Sequence, residues 1–158
     1  MSNATQRLLK KHPNCCFCGG TVGAENRDHQ PARILFPDKI RPKGLEFSAC
    51  KICNVQTSPD EALVAVLVRA AGNLRYPQGR LDKGLKRAFQ AVQHSFPGLL
   101  DRIATRVWVN HNGVLQSVLA FNGNNAQVEA SVCRVAAKLS LATYYEDQGI
   151  IEIGRAHV

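Results

Sequence analysis

Two C-x-x-C pairs constrain this chain more than any other feature of its sequence. The first pair is Cys15 and Cys18, and the second is Cys50 and Cys53. Each such turn presents two sulfurs from one tight loop, and four thiolates in a tetrahedron bind one zinc ion. The spacing therefore predicts a structural zinc site, with two disulfides or a redox-active C-x-x-C as the alternatives.

The composition of the chain indicates a small basic protein of the soluble type. It has 158 residues, 45% of them hydrophobic, and a formal net charge of +8. This charge favours a polyanionic partner, nucleic acid first, and residues 1–57 hold nine Lys and Arg against four Asp and Glu. No early apolar run resembles a signal peptide, and no apolar run is long enough to cross a bilayer. We expect a cytoplasmic location without membrane contact, where clustered cysteines more often hold metal than form disulfides.

Hydrophobic periodicity and turn signals predict an α+β fold in two parts. Residues 1–72 read as a zinc-bound module, and residues 73–158 as a mixed helix, β-hairpin and helix region that packs on it or forms a second unit. The capping-box pattern of Ser58 and Glu61 predicts the start of a helix. The expected elements are a strand over 44–49, helices from Ser58 to Ala71, over 80–96 and over 126–147, and hairpin strands over 106–109 and 114–121.

Three further side chains, Cys16, Cys133 and Trp108, have predictions of their own. Cys16 lies inside the first pair, where it is able to replace Cys15 as a ligand in a shifted register. Cys133 lies in a helical pattern and is expected to be a small buried residue. Trp108 lies in a valine-rich strand and is expected in the core rather than at a surface that stacks bases. The last helix is expected to bury one face, formed by Val128, Val132, Val135, Leu139 and Ala142.

A second set of polar residues accompanies the cysteines. Asp28 and His29 lie between the two pairs, and Asn54 directly follows the last cysteine. A neutral imidazole suits general base catalysis, and carboxylate and amide oxygens suit Mg²⁺. Adjacent strand residues point to opposite faces, so Asp28 and His29 serve one phosphate only if the backbone bends. The alternatives are a supporting role near zinc for Asp28 and His29, and a helix-capping role for Asn54.

These motifs together resemble the zinc-bearing HNH endonucleases, and more closely a group of small bacterial and phage HNH-like proteins. The resemblance covers roughly residues 13–62 and rests on four segments: Cys15-x-x-Cys18, Asp28-His29-x-Pro31, Cys50-x-x-Cys53-Asn54 and Ser58-x-Asp60-Glu61. It implies a ββα-metal fold, also described as a treble clef, with a purely structural zinc. In that fold a β-hairpin carries the Asp-His pair, and the following helix begins near Asn54.

The resemblance also implies an activity and a set of roles. His29 is the general base for hydrolysis of DNA phosphodiester bonds, and Asp28 and Asn54 bind a catalytic Mg²⁺ or Mn²⁺. The basic residues expected to contact phosphates, unless they form an ordinary solvated surface, are Arg27, Arg33, Arg41, Lys43 and Lys51.

One departure from the family keeps a second function open. The family places an Asn shortly before the second cysteine pair, where it supports the catalytic His, but residues 43–47 read Lys-Gly-Leu-Glu-Phe. The second hypothesis is a catalytically inactive HNH-like zinc module that binds nucleic acid or a protein partner.

Overall fold

The computed structural model describes residues 3–37, 45–73 and 83–148. They form helices and two separate two-stranded antiparallel sheets, which confirms the α+β prediction. The helices are α1 (Asn3–Lys11), α2 (Lys51–Gln56), α3 (Ser58–Asn73), α4 (Lys83–Ser95), α5 (Leu99–Ile103) and α6 (Ala126–Gln148). The strands are β1 (Asn26–His29), β2 (Glu46–Ala49), β3 (Ala104–His111) and β4 (Val114–Phe121), and a short 3-10 helix covers Arg33–Leu35.

The first sheet and the helix after it follow the order expected for the zinc module. Strands β1 and β2 pair antiparallel, with Asp28 opposite Phe47 and His29 opposite Glu46. Helix α2 begins at Lys51, earlier than the expected start near Asn54. The reason is that Cys50 caps this helix, because its sulfur accepts a hydrogen bond from the amide of Cys53.

Helix α3 begins at Ser58 as predicted, but the expected capping box does not form. The Ser58 hydroxyl donates to the carbonyl of Asn54, 3.2 Å away. The Glu61 carboxylate instead accepts hydrogen bonds from the hydroxyl of Thr57 and the ammonium of Lys138. The acidic residue that the pattern assigned to a helix end therefore belongs to a buried polar cluster.

The main hydrophobic core lies where α3, α4 and α5 meet. Leu63, Leu85 and Ile103 are almost completely buried there, and the 3-10 helix packs against α3. Helix α4 confirms the helix expected over 80–96 within the described residues, and its predicted stop at Pro97 and Gly98 is also confirmed. Helix α1 was not predicted, because its sequence is mostly polar and its two leucines, Leu8 and Leu9, are only half-buried.

Strands β3 and β4 confirm the predicted hairpin and lengthen its first strand. Asn112 and Gly113 form the turn with φ angles of 52° and 82°, which glycine and asparagine adopt most readily. The prediction for Trp108 is wrong, since 72% of its surface is exposed. Only the base of the hairpin reaches the core, where Phe121 packs against it.

Helix α6 confirms the helix predicted over 126–147, but its buried face differs from the expected one. Val132 is 43% exposed and Cys133 is exposed, so both predictions were wrong. Two polar residues, Ser131 and Lys138, take places on the buried face. Ser131 donates a hydrogen bond of 2.6 Å to Asp60 of α3. Polar contacts thus rotate α6 away from the orientation that its apolar residues alone suggest.

Helix α6 also links the two predicted parts of the chain. It packs along α3, and its Arg134 forms an ion pair with Asp60 at 2.8 Å. Lys138 reaches further and contacts Asp28 of β1. Among the helices that the structure describes, none has the length and apolar character needed to cross a membrane.

Candidate metal centre and active site

The four predicted zinc ligands converge in the structure. The sulfur atoms of Cys15, Cys18, Cys50 and Cys53 all lie within 4.8 Å of one another. The first pair lies in a turn that continues through Gly19 and Gly20, and the second pair lies at the beginning of α2. The two turns are brought together because the first turn is bonded to β2: the amide of Cys16 donates to the carbonyl of Ser48, and the hydroxyl of Ser48 donates to the carbonyl of Asn14. Cys50 directly follows β2.

The chemistry of this donor set fits a tetrahedral zinc ion. Zinc–sulfur bonds of about 2.3 Å place four sulfurs roughly 3.8 Å apart, within the observed limit. The amides of Phe17 and Cys53 donate hydrogen bonds of 3.4 Å to the sulfurs of Cys15 and Cys50. All six cysteines are free of disulfide bonds, which disfavours that alternative. The four cysteines could thus hold a metal ion such as zinc.

The pKa values of the thiols indicate that metal binding at these cysteines is coupled to the release of protons. Burial raises the pKa of Cys15, and burial together with neighbouring thiols raises the pKa of Cys53. Burial acts in the same sense on Cys18, but hydrogen bonds involving Thr21 and Cys15 outweigh it and lower its pKa. Thiols with raised pKa values become ligands only when a metal displaces their protons, so binding should release protons and depend on pH.

Cys16 does not replace Cys15 in this cluster. It is buried in a different set of contacts, with Phe47 and Ala142. Its amide donates to the carbonyl of Ser48 at 3.0 Å, which holds the first turn against β2. The shifted register is therefore not adopted, because the neighbouring side chains of this turn point into different clusters.

Asp28 is a buried residue with both carboxylate oxygens in use. Oδ1 accepts a 2.7 Å hydrogen bond from the backbone amide of His29. Oδ2 lies 2.6 Å from Nζ of Lys138 and also accepts a 3.4 Å bond from Gln30. The side chain points from β1 toward α6, into the interior of the protein.

Lys138 is the centre of a buried cluster of oxygen atoms. Its Nζ lies 2.6 Å from Asp28, 2.7 Å from the hydroxyl of Thr57 and 3.0 Å from Glu61. Burial alone disfavours the charged amine, but the charges of Glu61 and Asp28 outweigh it and raise the pKa of Lys138. Burial raises the pKa of Glu61, against the opposing effect of Lys138.

His29 lies on the other face of β1, as strand alternation requires. Its Nδ1 is 3.4 Å from Oε1 of Glu46, which lies directly opposite on β2. Arg27, two residues before His29, forms an ion pair of 2.9 Å with Oε2 of the same carboxylate. Neither Glu46 nor Lys138 was among the predicted site residues. Glu46 could have been found from its place in β2, because the HNH endonucleases that the sequence resembles have a supporting Asn near that position.

Asn54 lies on α2, which packs beside β1, and it is half-buried. Its carbonyl accepts the Ser58 hydroxyl, so its backbone helps to join α2 to α3. The helix-capping role considered for Asn54 is filled at α2 by Cys50 instead.

The residues near Asp28 do not fit the catalytic Mg²⁺ or Mn²⁺ that the resemblance implies. The lysine ammonium of α6 takes the cation position beside Asp28, and a backbone amide takes the second oxygen. With Asp28 engaged in this way, Asn54 alone offers too few ligands for a hard divalent cation. The backbone bend that would let Asp28 and His29 face one phosphate is absent, since β1 keeps regular pairing.

The predicted phosphate-binding residues fall into three groups. Arg33 and Lys51 are exposed, as a nucleic-acid contact requires. Arg27 is already paired with Glu46. Arg41 and Lys43 lie outside the described residues.

Comparisons with protein-family models, curated proteins and solved structures each found no match.

Proposed function

We propose that this chain is a zinc-stabilised HNH-type endonuclease that hydrolyses DNA phosphodiester bonds, with His29 as the general base. The observation that carries the proposal is the contact between Nδ1 of His29 and the carboxylate of Glu46, at 3.4 Å. A base whose ring is oriented by a third group is the usual arrangement in hydrolytic sites.

The chemistry assigned to His29 is removal of a proton from the attacking water. A carboxylate beside Nδ1 favours the tautomer with its proton there, so the lone pair of Nε2 is the one that accepts the proton of water. Arg27 holds the other oxygen of Glu46 and thereby limits the movement of that carboxylate. Arg33 and Lys51 are exposed cations of the same module, which suits contacts with a phosphate backbone.

The second candidate function is a catalytically inactive zinc module that binds nucleic acid or a protein partner. The observation that favours it is the ion pair between Asp28 and Lys138 at 2.6 Å. In the family Asp28 corresponds to a ligand of the catalytic metal, whereas here it neutralises a lysine of α6. A module with this ion pair keeps its zinc and its basic residues without the expected metal ligand.

Cleavage of supercoiled plasmid tests the proposal, with Mg²⁺, with Mn²⁺ and with neither. The variants are His29→Ala, which removes the base, and Glu46→Gln, which keeps the imidazole but removes the charge that orients it. The matched control is His94→Ala, which removes an exposed histidine of α4 in a protein purified in the same way. We expect His29→Ala to lower the cleavage rate by about 10²–10⁴-fold, Glu46→Gln to lower it less, and His94→Ala to leave it unchanged.

Equal cleavage by His29→Ala and the unaltered protein would contradict the assigned role and indicate a contaminating nuclease. DNA binding at low salt without cleavage under any metal condition would favour the inactive module. A protein that neither cleaves nor binds DNA or RNA would favour the inactive module with a protein as its partner.

A further inference from the structure

The β3–β4 hairpin presents an apolar face to solvent. Paired residues of an antiparallel sheet point to the same face, and Trp108 pairs with Ser117, Arg106 with Leu119, and Asn110 with Leu115. Trp108 is 72% exposed, Leu115 is 67% exposed and Leu119 is 37% exposed. Three large apolar side chains therefore lie together on one surface, which is more than isolated exposed hydrophobic residues.

Strand β4 of this hairpin lacks the features that protect an exposed edge. In the described ranges neither β3 nor β4 pairs with a third strand, and a two-stranded sheet alone is marginally stable in water. Strand β4 contains no charged residue, no proline and no glycine, and its register with β3 is continuous without a bulge. Natural proteins use those devices to keep exposed edges from associating. The side-chain face of a two-stranded hairpin gains stability when it packs against another surface.

The chemistry of the face favours a second copy of the chain over a nucleic acid. Its one charged side chain is Arg106, and a polyanion requires several cations on the surface it contacts. Depletion of charge together with an exposed aromatic residue is typical of the centre of a protein interface. Trp108, Leu115 and Leu119 from two copies supply at least about half of the roughly 1,200 Å² that a specific interface buries.

We propose that this hairpin face is a homodimer interface in which Trp108, Leu115 and Leu119 pack against the same residues of a second copy. Such an interface is isologous, so a twofold axis passes through the hairpin contact. The zinc cysteines belong to a different hydrophobic cluster and take no part in it.

The only tryptophan of the chain lies on this face, which makes the test direct. Sedimentation and the emission maximum of Trp108 are measured on the full zinc-loaded chain across concentrations up to tens of micromolar. Leu115→Lys and Ser117→Lys each place a charge on the face, and Ser117→Lys removes no apolar contact. The control is Val68→Lys, which makes the same change at a residue of α3 that is 57% exposed. Zinc content and circular dichroism establish that each variant is folded.

We expect a dimer whose formation shifts the Trp108 emission to shorter wavelength. Leu115→Lys and Ser117→Lys should each weaken dimerisation by more than about tenfold, and Val68→Lys should not. A monomer with constant Trp108 emission at all concentrations would overturn the proposal. So would equal effects of the hairpin variants and Val68→Lys. Quenching of Trp108 in a monomeric protein by a single-stranded oligonucleotide would overturn it in favour of a nucleic-acid surface.

Discussion

Replacing Lys138 by Met should strongly destabilise the protein. The substitution keeps a long side chain in α6 but removes an ammonium that is 5% exposed and contacts Asp28, Thr57 and Glu61 within 3.0 Å. Breaking a buried ion pair by removing one partner costs about 3–5 kcal/mol, because the remaining charge stays buried. With roughly 2–4 °C per kcal/mol for a chain of this size, the melting temperature should fall by about 6–20 °C.

The dependence of this loss on pH gives a second measure of the same interaction. Without Lys138 the opposing effect on Glu61 disappears, so burial should raise its pKa further above the usual value of 4.5. A carboxyl whose folded pKa is raised stabilises the fold below its unfolded pKa, and this contribution is lost as the pH rises through the folded pKa. The deficit of Lys138→Met should therefore be largest near neutral pH and shrink as the pH falls toward 4.5.

Urea unfolding of the zinc-loaded protein, followed at several pH values, measures both quantities. The control is Lys86→Met, which removes an exposed lysine of α4 and should change stability by less than about 0.5 kcal/mol. Zinc content should stay unchanged in both variants, because neither lysine is a ligand. A loss below about 1 kcal/mol for Lys138→Met, or a deficit that does not vary with pH, would refute the buried ion-pair cluster.

Two further predictions concern the metal and the basic surface. Cys18→Ser should reduce the zinc content, measured by metal analysis, from about one ion per chain to none and unfold the N-terminal module. The control Cys133→Ser, which lies outside the cluster, should retain its zinc. Equal zinc content in the two variants would contradict the four-sulfur site. Replacing Arg33 and Lys51 together by Ala should reduce the slope of log affinity for DNA against log salt by about 2 if each contacts one phosphate. Titrations at several salt concentrations measure that slope, and an unchanged slope would remove both residues from the interface.

The four-cysteine cluster was predictable because short-range spacing determines most of it. Each C-x-x-C turn fixes two sulfurs locally, so only the meeting of the two turns depends on the fold. The β3–β4 hairpin was predictable for a similar reason, since Asn112 and Gly113 favour the turn that joins its strands. Strand alternation also indicated that Asp28 and His29 point to opposite faces.

Contacts between distant segments were not predictable from these patterns. The partner of Asp28 is Lys138, near the other end of the chain, and a lysine in a helix is normally read as exposed. The exposure of Trp108 was missed for a related reason. A strand pattern shows which residues share a face, but it does not show whether the rest of the chain covers that face.

The catalytic metal that the resemblance implies and the ammonium of Lys138 compete for one position beside Asp28. A divalent ion at Asp28 has to displace the ammonium of Lys138, which lies 2.6 Å from that carboxylate and also contacts Thr57 and Glu61. His29 points to the opposite face of the sheet, where it contacts Glu46 of β2, so this displacement leaves the contact of the proposed general base in place. The ion pair between Lys138 of α6 and Asp28 of β1 therefore disfavours a metal at Asp28 and leaves His29 in place. If cleavage occurs, His29 should be essential, and removing the carboxylate of Asp28 should act mainly on stability.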